Sequence, residues 1–354
     1  MRKVWLGILV LSLGSLLIAT GSAFAQMGGS SVAQMGGAGY HPANKYKLGG
    51  EGGWDYLAGD FANYRLFISR GTRVMVVDTN TGSLVGEIPG LHRSHGIALV
   101  PEFNKGFASD GNPGTVVIFD YKTLKVLDTI KTDKDCDGII YDPGSKRVFT
   151  MNGDANTSTV IDAATGKVLS NIPLGGGPEF EAADGKGHVF ANLEDKSSMV
   201  KINSQTMKVE ETWPLAPCQS PSGLAIDAGN ELLVVGCHNK LMAFVDGNSG
   251  KVIGTVPIGQ GVDANRFDPG TKLAFASCGD GTITVAHEDS TDKFSLVGMI
   301  STQRGARTME VNPTTHDVYT VTAEFGPAPA ATAENPRPRP TILPDTFTLL
   351  MFSR

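Results

Sequence analysis

The sequence predicts an all-β chain: a seven-bladed β-propeller with four-stranded antiparallel blades, its last blade closed by an N-terminal strand. Three observations predict it: a repeat of nearly constant length, room in each repeat for four short strands, and two chain ends that complete one another. A period of this size sets an architecture, so the repeat comes first. One phrase returns along the chain: an apolar strand, a marker residue that is acidic in all but one case, a turn with Thr and often Gly, then a second apolar strand. The markers are Asp78, Asp120, Asp162, Asn203, Asp246 and Glu288, spaced 42, 42, 41, 43 and 42 residues apart.

Two earlier strands belong to each period, as in DGIIYDP with KRVFTMN, SGLAIDA with ELLVVGC and DANRFDP with KLAFASC. Four short strands in such a period make one propeller blade. The innermost strands then number seven: Gly53–Gly59, His95–Val100, Asp137–Asp142, Glu179–Ala183, Ser222–Asp227, Asp263–Asp268 and Arg307–Asn312. The seventh unit has strands near Thr308–Val311, Asp317–Thr322 and Thr346–Phe352, and ends one strand short. Lys45 to Gly50 leads into the first blade as Asn171 to Gly176 leads into the fourth, so the N-terminal segment is expected to supply the missing outer strand. Closure of this kind pairs the ends and removes an open sheet edge.

Residues 1–25 read as a signal peptide. Arg2 and Lys3 precede an apolar stretch from Val4 to Ala19, and Ala23-Phe24-Ala25 offers small residues at −3 and −1 of a cleavage site. Residues 26–43 read as a flexible Gly-rich leader and 44–354 as the propeller. Within it, 326–344 is a Pro/Ala-rich loop, because proline cannot donate to a ladder. No segment after the signal is apolar for long enough to span a bilayer, so the expected location is periplasmic or secreted. Losing Arg2 and Lys3 takes the net charge from −6 to −8. Phosphate affinity comes mainly from lysine and arginine, so nucleic acid is an unexpected partner, and no basic run suits DNA or a membrane.

Phrases such as Arg147-Val148-Phe149-Thr150 with Ser158-Thr159-Val160-Ile161-Asp162, and Lys272-Leu273-Ala274-Phe275, resemble the YVTN-type repeat propellers, specifically YncE-like proteins, over roughly residues 44 to 354. The eponymous tetrapeptide is blurred in every blade, surviving best as VFTMN and LAFASC. The resemblance implies a propeller of exported or surface proteins. It implies no single activity, since that family shares no catalytic set, and its suggestion of single-stranded nucleic-acid binding conflicts with the acidic charge. Function must come from a site.

In a propeller, the links into the inner strands open on the same face as the links between second and third strands. Aligning the inner-strand starts superposes Asp55, His95, Asp137, Glu179, Ser222, Asp263 and Arg307 at one mouth of the channel. Aligning the ends of the second strands gives Arg70, Asp110, Asn152, Leu193, Cys237, Cys278 and Ala323, with Glu194, His238 and Glu324 next to them. The ligand-binding candidates are therefore Asp55, Arg70, His95, Asp110, Asp137, Glu179, Asp263 and Arg307. Crowded carboxylates repel unless a cation, a proton or an arginine offsets them. A divalent metal ion on His95, Asp137, Glu179 and Asp263 would do so; so would salt bridges to Arg307 and Arg70, and plain hydration remains open. Asp133 to Gly138 matches the opening of a calcium loop, but Gly144 stands where the bidentate glutamate belongs, which favours a polar turn. Among Cys136, Cys218, Cys237 and Cys278, a Cys218–Cys237 bridge within one blade is preferred, with a copper or zinc site at Cys237 and His238 less favoured. No GxSxG, HExxH or P-loop occurs.

Two functions follow. The preferred one is an exported module that binds a small-molecule or protein ligand at the channel mouth in the cell envelope. The alternative is a metal-dependent lactonase- or lyase-like enzyme with its metal in the acidic ring.

Overall fold

The marker residue of each repeat acts on its own turn. Asp78 Oδ1 accepts the N–H groups of Asn80 and Thr81 at 2.9 and 2.8 Å. Asp120 does the same for Lys122 and Thr123, Asp162 for Thr165, Asn203 for Gln205 and Thr206, and Asp246 for Asn248. A short side-chain acceptor satisfies donors that a tight turn leaves unpaired, so the period in sequence is a period of pinned turns. These bonds, led by Thr81, Thr123, the Thr165 hydroxyl and Asn248, hold the carboxyls of Asp78, Asp120, Asp162 and Asp246 below their usual range. Glu288 departs from the pattern: it is buried, and its strand runs on through it to a hairpin in which Ser290 pairs with Lys293.

Asp162→Ala is expected to cost about 1 kcal/mol at neutral pH. The difference from wild type should shrink as pH falls through the depressed carboxyl, where the aspartate protonates and loses the same bonds. Urea midpoints at pH 7 and pH 3 test this; an undiminished difference at pH 3 would exclude the charged turn as its source.

A computed structural model describes residues 37–332, 338 and 340–354. Blade 1 contains β2 (Leu57–Asp60), β3 (Arg65–Arg70), β4 (Arg73–Asp78) and β5 (Leu84–Ile88); blade 2 contains β6 (Ser94–Val100), β7 (Lys105–Asp110), β8 (Thr115–Asp120) and β9 (Val126–Lys131). Blade 3 contains β10 (Cys136–Asp142), β11 (Arg147–Asn152), β12 (Thr157–Asp162) and β13 (Val168–Pro173); blade 4 contains β14 (Pro178–Ala183), β15 (His188–Leu193), β16 (Ser198–Asn203) and β17 (Lys208–Pro214). Blade 5 contains β18 (Pro221–Asp227), β19 (Leu232–Cys237), β20 (Leu241–Asp246) and β21 (Val252–Pro257); blade 6 contains β22 (Val262–Asp268), β23 (Leu273–Cys278), β24 (Thr282–Ser290) and β25 (Lys293–Ser301). Blade 7 contains β26 (Met309–Val311), β27 (Val318–Thr322) and β28 (Thr348–Ser353), and its fourth strand is β1 (His41–Lys47), antiparallel to β28. The chain is thus an all-β, seven-bladed propeller closed by its N-terminal strand. β1 begins at His41, ahead of residue 44, with buried Tyr40 before it. The expected signal segment and most of the leader lie outside the described residues. Among the described residues, no helix is long and apolar enough to cross a membrane.

The core lies between blades, because each twisted sheet can bury its faces only against its neighbours. Phe67, Phe107, Phe149, Phe190 and Phe275 hold the third place of their second strands, and all are 0% exposed. The base of the Pro/Ala-rich loop is pinned by a Phe325–Ile342 bridge, and Phe325 packs on Trp54 at 6.0 Å between ring centroids.

Candidate functional site

The inner strands begin irregularly, and that irregularity builds the site. In five blades the pairing with the second strand slips at the first turn: between Ser94 and Ile97, Cys136 and Ile139, Pro178 and Glu181, Pro221 and Leu224, and Val262 and Ala264. His95, Asp137, Glu179, Ser222 and Asp263 each lie inside a slip, while Asp55 and Arg307 immediately precede β2 and β26 by two residues. A bulge frees a residue from the ladder and re-aims its side chain.

Backbone carbonyls at the inner-strand starts find buried partners one blade back. Ser69 Oγ donates to the carbonyl of His95, and Ser109 Oγ to that of Asp137. Asn192 Nδ2 donates to the Ser222 carbonyl at 2.8 Å, and Ser277 Oγ to the Ala306 carbonyl at 3.0 Å. All four donors hold the fifth place of a second strand. Sequence reasoning missed this set, although a polar residue recurring at one strand position was a usable signal.

Five of the predicted residues meet directly. His95 Nδ1 lies 2.5 Å from Asp55 Oδ2 and 3.4 Å from Asp137 Oδ1. The Arg307 guanidinium pairs with Asp263, lies 3.6 Å from Asp55 Oδ1 and donates to the Trp54 carbonyl at 3.1 Å. Asp55, His95 and Asp137 offer ligand atoms within 4.8 Å of one another, an arrangement able to hold a metal ion. Glu179 extends the acidic arc between Asp137 and Asp263, the two charges that act on it most strongly. Glu194 and His238, 3.5 Å apart, stand at its rim.

Burial dominates the electrostatics. It pushes Asp137 up to about 7, with Asp55 adding to the rise and His95 opposing it. Glu179 is pushed up to about 9 by burial and then by the charges of Asp137 and Asp263. Asp263 rises to about 6 through burial, against the pull of Arg307. Burial alone would lower the His95 pKa, but the hydrogen bond to Asp55 and the charge of Asp137 outweigh it, so the imidazole holds its proton more firmly than usual. A cluster that retains protons at neutral pH is one in which carboxylates lack enough positive partners.

The structure does not bring Arg70 or Asp110 into this cluster. Arg70 is fully buried; its guanidinium donates to the carbonyls of Gly50 and Gly53 at 2.7 and 3.1 Å and lies 4.0 Å from the Phe347 ring centroid. Asp110 is 1% exposed and accepts the N–H groups of His92 and Arg93, both at 2.8 Å. The calcium-like opening is a polar turn: Asp133 accepts from the Thr157 hydroxyl and Asp135 from Arg93, so these acids point to different neighbours. Cys218 and Cys237 form a disulfide with Cα atoms 5.4 Å apart, while Cys136 and Cys278 are free and buried.

Below the mouth, Tyr56 of blade 1 and Phe180 of blade 4 stack across the channel, 4.3 Å between ring centroids and 19° between planes. Beneath them sit Glu181, pushed up to about 8 by burial and the charge of Asp137, and Arg266, paired with Glu310 at 2.9 Å. None of these was a candidate from sequence.

Fold and mouth together define a seven-bladed β-propeller with a partly buried Asp–His–Asp cluster at one end of its channel. The chain matches no protein-family model and no curated protein sequence. Among solved structures it is similar to a chain of the hydrazine synthase of Kuenenia stuttgartiensis, with a TM-score of 0.64 and 16% identity over 75% of this chain and 91% of that one. At that identity the likeness establishes the fold alone.

Proposed function

We propose that the chain is an exported binding module of the cell envelope, which takes its ligand at the acidic mouth through a divalent metal ion held by Asp55, His95 and Asp137. The observation that carries this reading is the approach of those three side chains at 7–18% side-chain exposure, with Glu179 and Asp263 alongside. A divalent ion would displace the retained protons and turn mutual repulsion into ligation. One imidazole among carboxylates suits a borderline ion such as Mn²⁺ or Zn²⁺ better than Ca²⁺. Asp263, already engaged by Arg307, is a poorer ligand than its place in the ring suggests, and Asp55 takes its role. Arg307, with 35% of its side chain exposed, is available to an anionic group on the ligand.

A metal-dependent lactonase- or lyase-like enzyme would use the same parts. The short His95–Asp55 contact supports that second reading, since a coupled pair of this kind can move a proton; turnover separates the two. The test is metal analysis by mass spectrometry of mature protein purified from the periplasm without chelator. About one equivalent of a divalent ion is expected, lost in Asp55→Asn/Asp137→Asn while circular dichroism is unchanged. Failure of the purified protein to take up Mn²⁺ or Zn²⁺ at pH 8 would remove the metal, and absence from the periplasmic fraction would remove export.

A further inference from the structure

On the side of the Tyr56–Phe180 stack away from the mouth, the channel widens into a cavity of about 410 Å³. That size suits a small organic ligand. Its walls are largely aliphatic, with Leu57, Ile97, Ile139, Leu224 and Ile226 among them, and no member of the acidic mouth lines it. Two buried polar atoms at this cavity lack partners: Glu181 Oε2, on a residue 7% exposed, and Tyr56 Oη, on a residue 8% exposed. Buried polar atoms are normally paired, and an unpaired one asks for an explanation.

The position of Glu181 is built. A Cβ on Gly138 would collide with Glu181 Oε2, so the glycine on the neighbouring blade makes the space the carboxyl occupies. The other charged groups at the cavity are already spoken for. Arg266 Nε donates to Glu310 Oε1 at 2.9 Å, its Nη1 donates to the Asn265 carbonyl at 2.8 Å and its Nη2 to the Leu57 carbonyl at 3.4 Å. Glu310 takes Arg266 directly, which leaves Glu181 with only the more distant pull of that arginine and no ion pair of its own.

We infer that this cavity binds a small monocationic amphiphile, an alkyl- or arylalkylammonium, with its head group against Glu181 and Tyr56 and its chain along the aliphatic wall. An ammonium supplies donors to both orphaned oxygens and the single positive charge that the cavity lacks. An anion would meet Glu181 and Glu310 instead, and a neutral chain would leave the acid unbalanced. This site is separate from the mouth and stands whether or not the mouth holds a metal.

The experiment is isothermal titration of the full mature chain at pH 8.5, where Glu181 is ionised, with butyl-, hexyl- and octylammonium, and with hexan-1-ol and hexanoate as head-group controls. Affinity for the ammonium series should rise about fourfold per methylene until the cavity is full. Hexanol and hexanoate should bind at least tenfold more weakly than hexylammonium, and Glu181→Gln should weaken hexylammonium at least tenfold. Equal affinity for the three head groups would overturn the assignment. Ile226→Trp, which fills the cavity from a partly exposed wall, should block binding even where Glu181→Gln does not fold; full binding by that variant would equally overturn it. In methyl and histidine-ring NMR spectra, shifts on adding hexylammonium should fall at Ile97, Ile139, Leu224 and Ile226, and shifts confined to the His95 ring would place the amine at the mouth and defeat the proposal.

Discussion

Phe149→Ala is expected to remove about 3–5 kcal/mol of stability. The ring is 0% exposed and lies between blades 3 and 4, among Val160, Ile172, Val189, Ala191, Val200 and Ile202. Truncation loses the transfer free energy of the ring and leaves a cavity whose walls belong to two sheets. Each sheet is held by its own ladder, so neither can collapse freely into the space. The urea midpoint should fall while the slope of the transition stays unchanged. Leu169→Ala serves as the control: this leucine is 42% exposed on an outer strand, and its truncation should change stability by less than about 0.5 kcal/mol. A loss of under about 1 kcal/mol at Phe149 would show that adjacent blades relax into the gap, contrary to a core shared between them.

The metal-free protein should lose stability as pH rises from about 5 to 9. Asp263, Asp137, Glu181 and Glu179 are held at about 6, 7, 8 and 9 in the folded chain, against roughly 4 when unfolded. The native state therefore binds more protons than the unfolded one across this window, and raising the pH favours unfolding. His95 acts in the same sense: its pKa is raised on folding, so the stability it contributes is present at low pH and lost as the pH passes its folded value. The turn aspartates act oppositely, their depressed carboxyls withdrawing stability only as pH falls below about 4. A maximum near pH 5 follows. Calorimetry with chelator at pH 5 and pH 8.5 tests it. Asp137→Asn should narrow the gap, because it deletes one titrating group and relieves Glu179 and Glu181 of a neighbouring charge. A flat profile would mean that the mouth is better compensated than its geometry indicates.

The repeat was legible because its marker works locally. Asp78 pins a turn whose donors lie two and three residues ahead, so the signal survives in a single sequence. Closure of the ring was legible from the strand missing at one end and present at the other. The mouth was readable for Asp55, His95, Asp137 and Asp263, whose common register puts them at the inner-strand starts. Register alone could not show where long side chains go. Arg70, aligned with the mouth, turns instead to the carbonyls of Gly50 and Gly53. Asp110 is short enough to be captured by the N–H groups of His92 and Arg93. Arg307 reaches Asp263 and so draws it away from His95, while Asp55 joins His95 directly. The Tyr56–Phe180 contact joins nearly opposite blades, a distance that no turn or strand period encodes.

That stack has a further meaning for the two sides of the channel. With two aromatic faces in contact across the channel, the acidic mouth and the aliphatic cavity lie on opposite sides of a shared partition. Charge crosses the rings all the same, since Asp137 at the mouth raises Glu181 beyond them.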